Sequence, residues 1–523
     1  MRITFVVMGC ESLGIESLSA ILKKNNHNVT LAFDPALFDD KLYFNMPFLA
    51  KLFDYKKEII KKVVDSKPDL VGFNVFADNF KWACYMAREI KKCIDVPIIF
   101  GGIFTTACPE NVIKEDCVDM LCLREGERPI LELVNSMEKG KIDYGIKNIW
   151  FKKDKKIIKN NLNELQDLDK LQFYDKKLFE NEIMIKNCYM TVTQKGCPFN
   201  CTYCSQNFLR KFDKGYGQYL RRKSIDNIIN ELKMMKERYN FKEVDFKDNT
   251  FTADKKWTLE FLKRYKEEIN VPFRIMTHPQ CINEEIAEAL KESGIHRVQL
   301  GIQSMNQKTR RDILKRFETN EQITECFKVL DKYKINYSID HIFGLPYENE
   351  KQQIEAARVY AKLKSCSRLT IFWLEYFPKT EIVDIARNAG IITVKDMGNI
   401  ESGNEKNYQT EQGSIRDEKL KDLFMNYHLF FRTIPILPER AVNFILDHKL
   451  QHYYKYLPRS IILLFIDVFM SFVKHDYSAI QYLKYYFYQM RKIGKIKILN
   501  RIRKHGPKDD SYQMRNLNQT NNF

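Results

Sequence analysis

Gln194-Lys-Gly-Cys-Pro-Phe-Asn-Cys-Thr-Tyr-Cys-Ser205 sets three cysteines, Cys197, Cys201 and Cys204, in a C-x-x-x-C-x-x-C spacing. Thiolates are soft ligands that suit iron–sulfur clusters or zinc. Three of them can hold three irons of a 4Fe-4S cube and leave the fourth iron open to an outside ligand. A structural zinc site is instead closed by four ligands. The nearest further candidate is Cys188, ahead of the strand that enters the loop, and no histidine lies close in sequence. Gly196 and Pro198 flank the first cysteine and shape a tight loop. A zinc knuckle and an accidental trio of cysteines are the alternatives that stay open here.

Outward from this loop the chain alternates short apolar runs with amphipathic ones. Strands are expected near 190–194, 243–246, 273–277, 297–301, 336–343 and 367–376, with helices between them. Six consecutive βα units predict a partial or full (β/α) barrel over residues 186–390, whose chemistry would sit on the loops after the strands. Upstream, residues 1–140 alternate in the same way around 3–8, 29–33, 70–76 and 97–100. That pattern predicts an open Rossmann-like α/β domain, with its ligand crevice beyond the carboxyl ends of the strands. A lysine-rich connector with short strands is expected over 141–185. A mainly helical, basic region is expected over 391–508, and a polar disordered tail over 509–523.

The 523 residues are 44% hydrophobic and 29% charged, which supplies more than one core and argues against a mainly disordered chain. The balance of 85 Lys and Arg over 68 Asp and Glu leaves +17, a basic surface that suits anionic partners without naming one. The chain opens on an apolar run that meets Gly9 too soon for a secretory signal, and 461–473 is too short to span a bilayer. Thirteen cysteines without a secretory address read as reduced thiols. The expected location is the cytoplasm.

The cysteine spacing, the aromatic Tyr203 before the last cysteine and the place of the loop at the opening of a βα barrel resemble the radical S-adenosylmethionine (SAM) superfamily. The resemblance implies a 4Fe-4S cluster on Cys197, Cys201 and Cys204, with SAM on the open iron and cleaved on reduction to a 5′-deoxyadenosyl radical. Later stretches match in order. Asp245-Phe-Lys-Asp-Asn-Thr-Phe-Thr252 corresponds to the loop that meets the amino-acid part of SAM, although it lacks the glycine-glycine-glutamate form. Gln299-Leu-Gly-Ile-Gln-Ser304 and His341-Ile-Phe-Gly-Leu-Pro346 resemble the segments that line ribose and adenine. The SAM-binding residues so implied are Tyr203, Asp248, Gln303, Ser304, Phe343, Gly344 and Pro346. No catalytic residue is assigned; Asp340 and His341 are as well explained as a structural pair.

An α/β domain ahead of such a barrel resembles the cobalamin-binding domain of one large subgroup. The likeness rests on Leu13-Gly-Ile-Glu-Ser-Leu-Ser19, Gly101-Gly-Ile-Phe-Thr-Thr-Ala-Cys-Pro-Glu110 and Leu123-Arg-Glu-Gly-Glu127. It implies cobalamin held by Leu13, Asn74, Gly101, Gly102, Glu125, Gly126 and Glu127. The D-x-H-x-x-G motif is absent and His27 lies in the wrong place, so no histidine of that motif occupies the lower axial face.

Together these resemblances imply a cobalamin-dependent radical SAM methyltransferase acting on an unactivated carbon. A radical cyclase or rearrangement enzyme, and a non-catalytic iron–sulfur electron-transfer or sensor protein, are the two alternatives. Expected partners are a small-molecule or peptide substrate and an electron donor such as flavodoxin or ferredoxin. Contact with a membrane surface through the basic C-terminal region stays open, and nucleic acid is disfavoured. The plainer reading of that region is a helical bundle closing the open side of the barrel, with 461–473 as its buried helix.

Overall fold

The computed structural model describes residues 1–39, 46–404, 418–456, 459–473 and 478–505, so the expected tail at 509–523 lies outside the described residues. The first sheet has seven strands. They are β1 (Arg2–Met8), β2 (Asn28–Asp34), β3 (Leu70–Asn74), β4 (Ile98–Gly101), β5 (Met120–Cys122), β6 (Ile149–Lys153) and β7 (Lys156–Lys159), in the order β2-β1-β3-β4-β5-β6-β7. The first five are parallel, and β6 and β7 add antiparallel at the far edge. The strand order reverses between β1 and β3. That switch point opens a crevice beyond the carboxyl ends of the strands. The stretch expected as a connector therefore gives two of its short strands to the first sheet.

After β8 (Tyr189–Thr191) come the short β9 (Gln194–Lys195) and β10 (Arg221–Arg222), which pair with each other as a hairpin. The second sheet continues with β11 (Val244–Phe246), β12 (Phe273–Thr277), β13 (Ile295–Gln303), β14 (Tyr337–Phe343) and β15 (Cys366–Trp373). It runs β15-β14-β13-β12-β11-β8, parallel throughout, with β8 and β15 as its edges. The barrel is thus partial.

Local chemistry sets the helix starts. Ser224, Asp254, Asn283 and Asn349 each cap the next helix by accepting from a backbone N–H of its first turn, and Thr319 forms a capping box with Gln322. On β13 the period of two puts Val298, Leu300 and Ile302 into the core, while Arg297, Gln299 and Gly301 face the less buried side. The helix Glu418–Thr433 packs Phe424, Tyr427, Phe430 and Phe431 into the same core and covers the β15 edge. No helix among the described residues is long and apolar enough to cross a membrane.

Candidate functional site

The loop of three cysteines leaves the β9–β10 hairpin at Gly196. Its φ of +92° and a Tyr219 carbonyl 2.6 Å from where a Cβ would stand leave room for glycine alone. All thirteen cysteines are free, and Cys197, Cys201 and Cys204 are half-buried. The backbone N–H of Cys204 donates to the Cys201 carbonyl at 3.2 Å, and Cys204 caps the helix Ser205–Phe212. Thr250 Oγ1 lies 3.7 Å from the Cys197 sulfur, and Asn249 donates to Gly196 O at 3.2 Å. Burial pushes the Cys204 thiol up to about 12 and raises that of Cys201 as well, so metal binding here must displace protons.

Among the described residues, no group of three or more His, Cys, Asp or Glu closes on a single-ion point. A closed zinc site finds no fourth ligand in Cys188. That thiol precedes β8, at the opposite end of the strand from the loop, and accepts from Arg274 at 3.3 Å.

Beneath the loop lies a group that the sequence did not announce. Arg316 is buried, with Nη1 3.9 Å from the Cys201 sulfur and Nη2 donating to Gly301 O at 2.6 Å. Its Nε donates to Glu318 at 2.7 Å, and His278 Nε2 stands 3.4 Å from the same carboxylate. The His278 ring stacks on Phe199 of the loop at 3.8 Å. Burial, with the Arg316 charge, lowers His278 to about 4, so its ring is neutral. The loop therefore rests on a cation and a stacked ring. These residues fall on three separate strand-to-helix connections, and no linear motif joins them.

The SAM-side residues divide. Gln303 is held at φ +68°, and Gly301, lacking a side chain, leaves room for its amide. Ser304 Oγ accepts from Asn306 N–H at 3.2 Å. Gly344 donates at 2.7 Å to the buried Glu348, which also takes Leu345 N–H; burial pushes this carboxyl up to about 8. Pro346 is buried in that turn, and Tyr203 packs against the apolar cluster that includes Leu345. Asp248 accepts from the backbone of Thr193 and Gln194 at 2.8 and 2.7 Å, and so fastens the chain leading into the loop. Phe343 is fully buried, its ring stacked on Phe424 at 5.3 Å. His341 sits between Tyr360 and Gln353, 3.0 Å from each, as a satisfied core residue. Asp340 accepts both its bonds from Gln299, and burial pushes it up to about 7.

The first domain behaves differently. Leu13, Asn74, Gly101, Gly102, Glu125, Gly126 and Glu127 all line one cavity of about 450 Å³. A Cβ on Gly102 would stand 2.5 Å from Asn74 Oδ1, and one on Gly126 would stand 3.3 Å from Cys122 and Leu18. The wall is a cradle shaped by missing side chains, which fits a large, flat ligand. Its far side is the barrel: Lys195, Gly196, Tyr219, Lys247 and Asn249. Across it Glu125 takes Arg221 at 2.7 Å and Lys195 at 3.2 Å, and Glu127 takes Lys195 at 3.2 Å. Burial opposes ionisation of Glu125, but Lys195 and Arg221 hold it down at about 2. Arg124 pairs with Asp213 nearby. His27 is buried away from this wall, bonded to Asn135 at 2.9 Å.

Comparison with known proteins matches residues 191–359 to the Radical SAM superfamily and residues 6–134 to the B12 binding domain. An uncharacterized methyltransferase of Pyrococcus horikoshii is 27% identical over 358 residues, 67% of this chain and 72% of that protein. The cytidylyl-2-hydroxyethylphosphonate methyltransferase of Streptomyces wedmorensis is 22% identical over 55% of this chain and 60% of its own length. The anaerobic magnesium-protoporphyrin IX monomethyl ester cyclase of Rubrivivax gelatinosus is 25% identical over 56% of this chain and 54% of its own. The fold is shared with the cobalamin-dependent radical enzyme OxsB, at a TM-score of 0.64 and 14% identity over 97% of this chain and 82% of that one. It is also shared with the methyltransferase TsrM of Kitasatospora setae, at 0.59 and 14% over 75% of this chain and 77% of that one.

Proposed function

We propose, from the premise that this chain belongs to the radical SAM superfamily and carries a B12 binding domain ahead of its radical domain, that it methylates an unactivated carbon of a small molecule. The observation that carries the reading is the shared cavity. Seven first-domain residues face Lys195 and Gly196, and the next residue is Cys197. Proximity decides which partner a short-lived substrate radical meets, so a common wall between two cofactor seats favours transfer over release. The names of the P. horikoshii and S. wedmorensis relatives support methyl transfer. The cyclase among the relatives keeps ring formation as the reading to exclude.

When bound, the cluster and SAM supply an electron and a 5′-deoxyadenosyl radical, and cobalamin supplies a transferable methyl group. The protein's own part is to hold and orient. Cys197, Cys201 and Cys204 carry the cluster, and Arg316 places a fixed positive charge beside Cys201. Gln303, Ser304, Gly344, Pro346 and Tyr203 line the nucleoside, with Asp248 and Phe343 fixing the strands behind them. The Glu125–Arg221–Lys195 set fastens the cobalamin cradle to the cysteine loop. A reductant is required, here one of the flavodoxin or ferredoxin kind. A peptide remains a second substrate class. The free thiols suit a cytoplasmic site of action.

The test is anaerobic incubation of the reconstituted full chain with methyl-deuterated SAM, a reductant and candidate small molecules. Release of 5′-deoxyadenosine and S-adenosylhomocysteine, with label in a product one methyl group heavier, is the expected result. Deoxyadenosine with an unlabelled, rearranged product would replace methyl transfer by the cyclase reading. Release of neither would support the sensor.

A further inference from the structure

The helix Arg459–Val473 departs from its sequence expectation. It is not the buried helix of a bundle. Its inner face is: Leu463, Ile466 and Met470 pack around Leu429, and Asp467 is buried in an ion pair with Arg432. Its outer face carries Phe465, Phe469 and Phe472, spaced i, i+4, i+7, with Val473 beside them. Phe465 is 70% exposed and Phe472 67%. A helix lying on a soluble core turns polar side chains to water. Here the water-facing stripe is three phenylalanine rings, and no charged side chain stands among them.

The helix Ser478–His505 packs against this one. Its Tyr486 and Ile493 turn inward onto Leu37 and Phe38, and Lys492 and Tyr488 bind the backbone of Asn181. Lys484, Phe487 and Arg491, spaced i, i+3, i+7, are exposed, Phe487 by 58%. From Ala479 to His505 the sequence carries Lys484, Arg491, Lys492, Lys495, Lys497, Arg501, Arg503 and Lys504 and no acid. The side chains from Lys495 onward lie outside the described ones. Beside the same helix, the short helix Pro47–Leu52 packs Leu49 inward and leaves Phe48 81% exposed.

We propose that the phenylalanine face of Arg459–Val473, flanked by the basic helix Ser478–His505, docks this protein on a bilayer surface that contains anionic lipid. Aromatic rings insert at the boundary between headgroups and chains, and neighbouring cations take the negative surface potential. Neither helix can cross, so the mode is interfacial. Charge argues against a second copy as the occupant, because a symmetric contact would set two acid-free basic helices against each other. Surfaces for single-stranded nucleic acid interleave stacking rings with cations along one groove; here Phe487 stands between Lys484 and Arg491, but the larger stripe of Phe465, Phe469 and Phe472 has no cation among its rings. The surface stands apart from the cysteine loop and does not depend on its chemistry.

The experiment is co-sedimentation of the full chain with vesicles of phosphatidylcholine alone and of phosphatidylcholine mixed with phosphatidylglycerol. The protein is expected to pellet with the mixed vesicles, about tenfold more tightly than with phosphatidylcholine, and to be released by salt. Phe465→Glu, Phe469→Glu and Phe472→Glu together should abolish pelleting on both, with circular dichroism and iron content unchanged. Lys484→Glu with Arg491→Glu should erase the preference for anionic lipid. Should the triple variant fail to fold, Phe469→Trp takes its place, and its emission should shift to the blue with mixed vesicles and be quenched by brominated lipid. Wild type left in the supernatant, a triple variant that pellets normally, or an unshifted tryptophan would overturn the proposal. A dimer that the triple variant turns into a monomer, or binding to RNA but not to vesicles, would overturn it in favour of those partners.

Discussion

Both halves of the candidate site draw on residues at or just past the carboxyl ends of strands, yet the structure arranges them differently. In the first domain, residues taken from four separate strand-to-helix connections meet on the wall of one cavity. In the barrel, the seven SAM-side residues do not line that cavity, and two of them, Asp248 and Phe343, serve the strands and the core. The difference is geometric. An open parallel sheet delivers every strand end to one edge, so a glycine or carboxylate just past a strand is already in the crevice. A barrel strand alternates inward and outward, so one position decides between lumen and core. Phe343 is on the wrong side by that single step.

Breaking the barrel half should give the largest effect. Cys201→Ala is expected to drop iron from about four per chain to background and to end 5′-deoxyadenosine release. Cobalamin content should stay, because no cavity-lining residue of the first domain is touched. Loss of both cofactors together would show that the halves are not separable. Gly102→Ala strikes the other half. Its φ of +104° and the 2.5 Å approach to Asn74 predict about 1–3 kcal/mol of strain and loss of bound cobalamin with iron retained. Absorbance at the corrin bands beside an iron assay decides it.

The seam between the halves comes next. Arg221→Ala leaves Glu125 with Lys195 and the Gln166 N–H and is expected to cost about 2 kcal/mol. Thermal unfolding would read that cost, and more deoxyadenosine per methyl transferred would mark loosened coupling. The smallest effect is a pH slope. Burial raises Glu348 to about 8, so the folded chain keeps a proton there that the unfolded chain has lost above its ordinary range. That contribution is complete below the unfolded value and fades as pH rises through 8. Glu348→Gln should flatten the fall in melting temperature between pH 5 and 8, a difference of no more than about 1.4 kcal/mol per pH unit. An unchanged slope would mean that Glu348 is ionised in the Gly344–Pro346 turn.

Much of this was legible in residue order. The cysteine spacing, the βα rhythm on both sides of it and the glycines past β4 each depend on neighbours within a few residues, where local chemistry dominates. What escaped reading has partners far apart. Arg316 reaches Cys201 across 115 positions, and Glu125 reaches Arg221 across 96. Lysines and arginines are common enough that nothing marks these as buried. The helix Arg459–Val473 failed for a related reason. An apolar run states that a face seeks cover, but not which face the rest of the chain can provide.

By itself, then, the sequence determined the order of the two domains, the cluster loop and the crevice of the first sheet, because period, spacing and turn chemistry act over short distances. Only the tertiary structure decided which residues meet across the seam, which barrel positions face inward, and which aromatic rings stay uncovered. Those outcomes depend on how two sheets and a set of helices exclude water from one another, and that is a property of the packed chain.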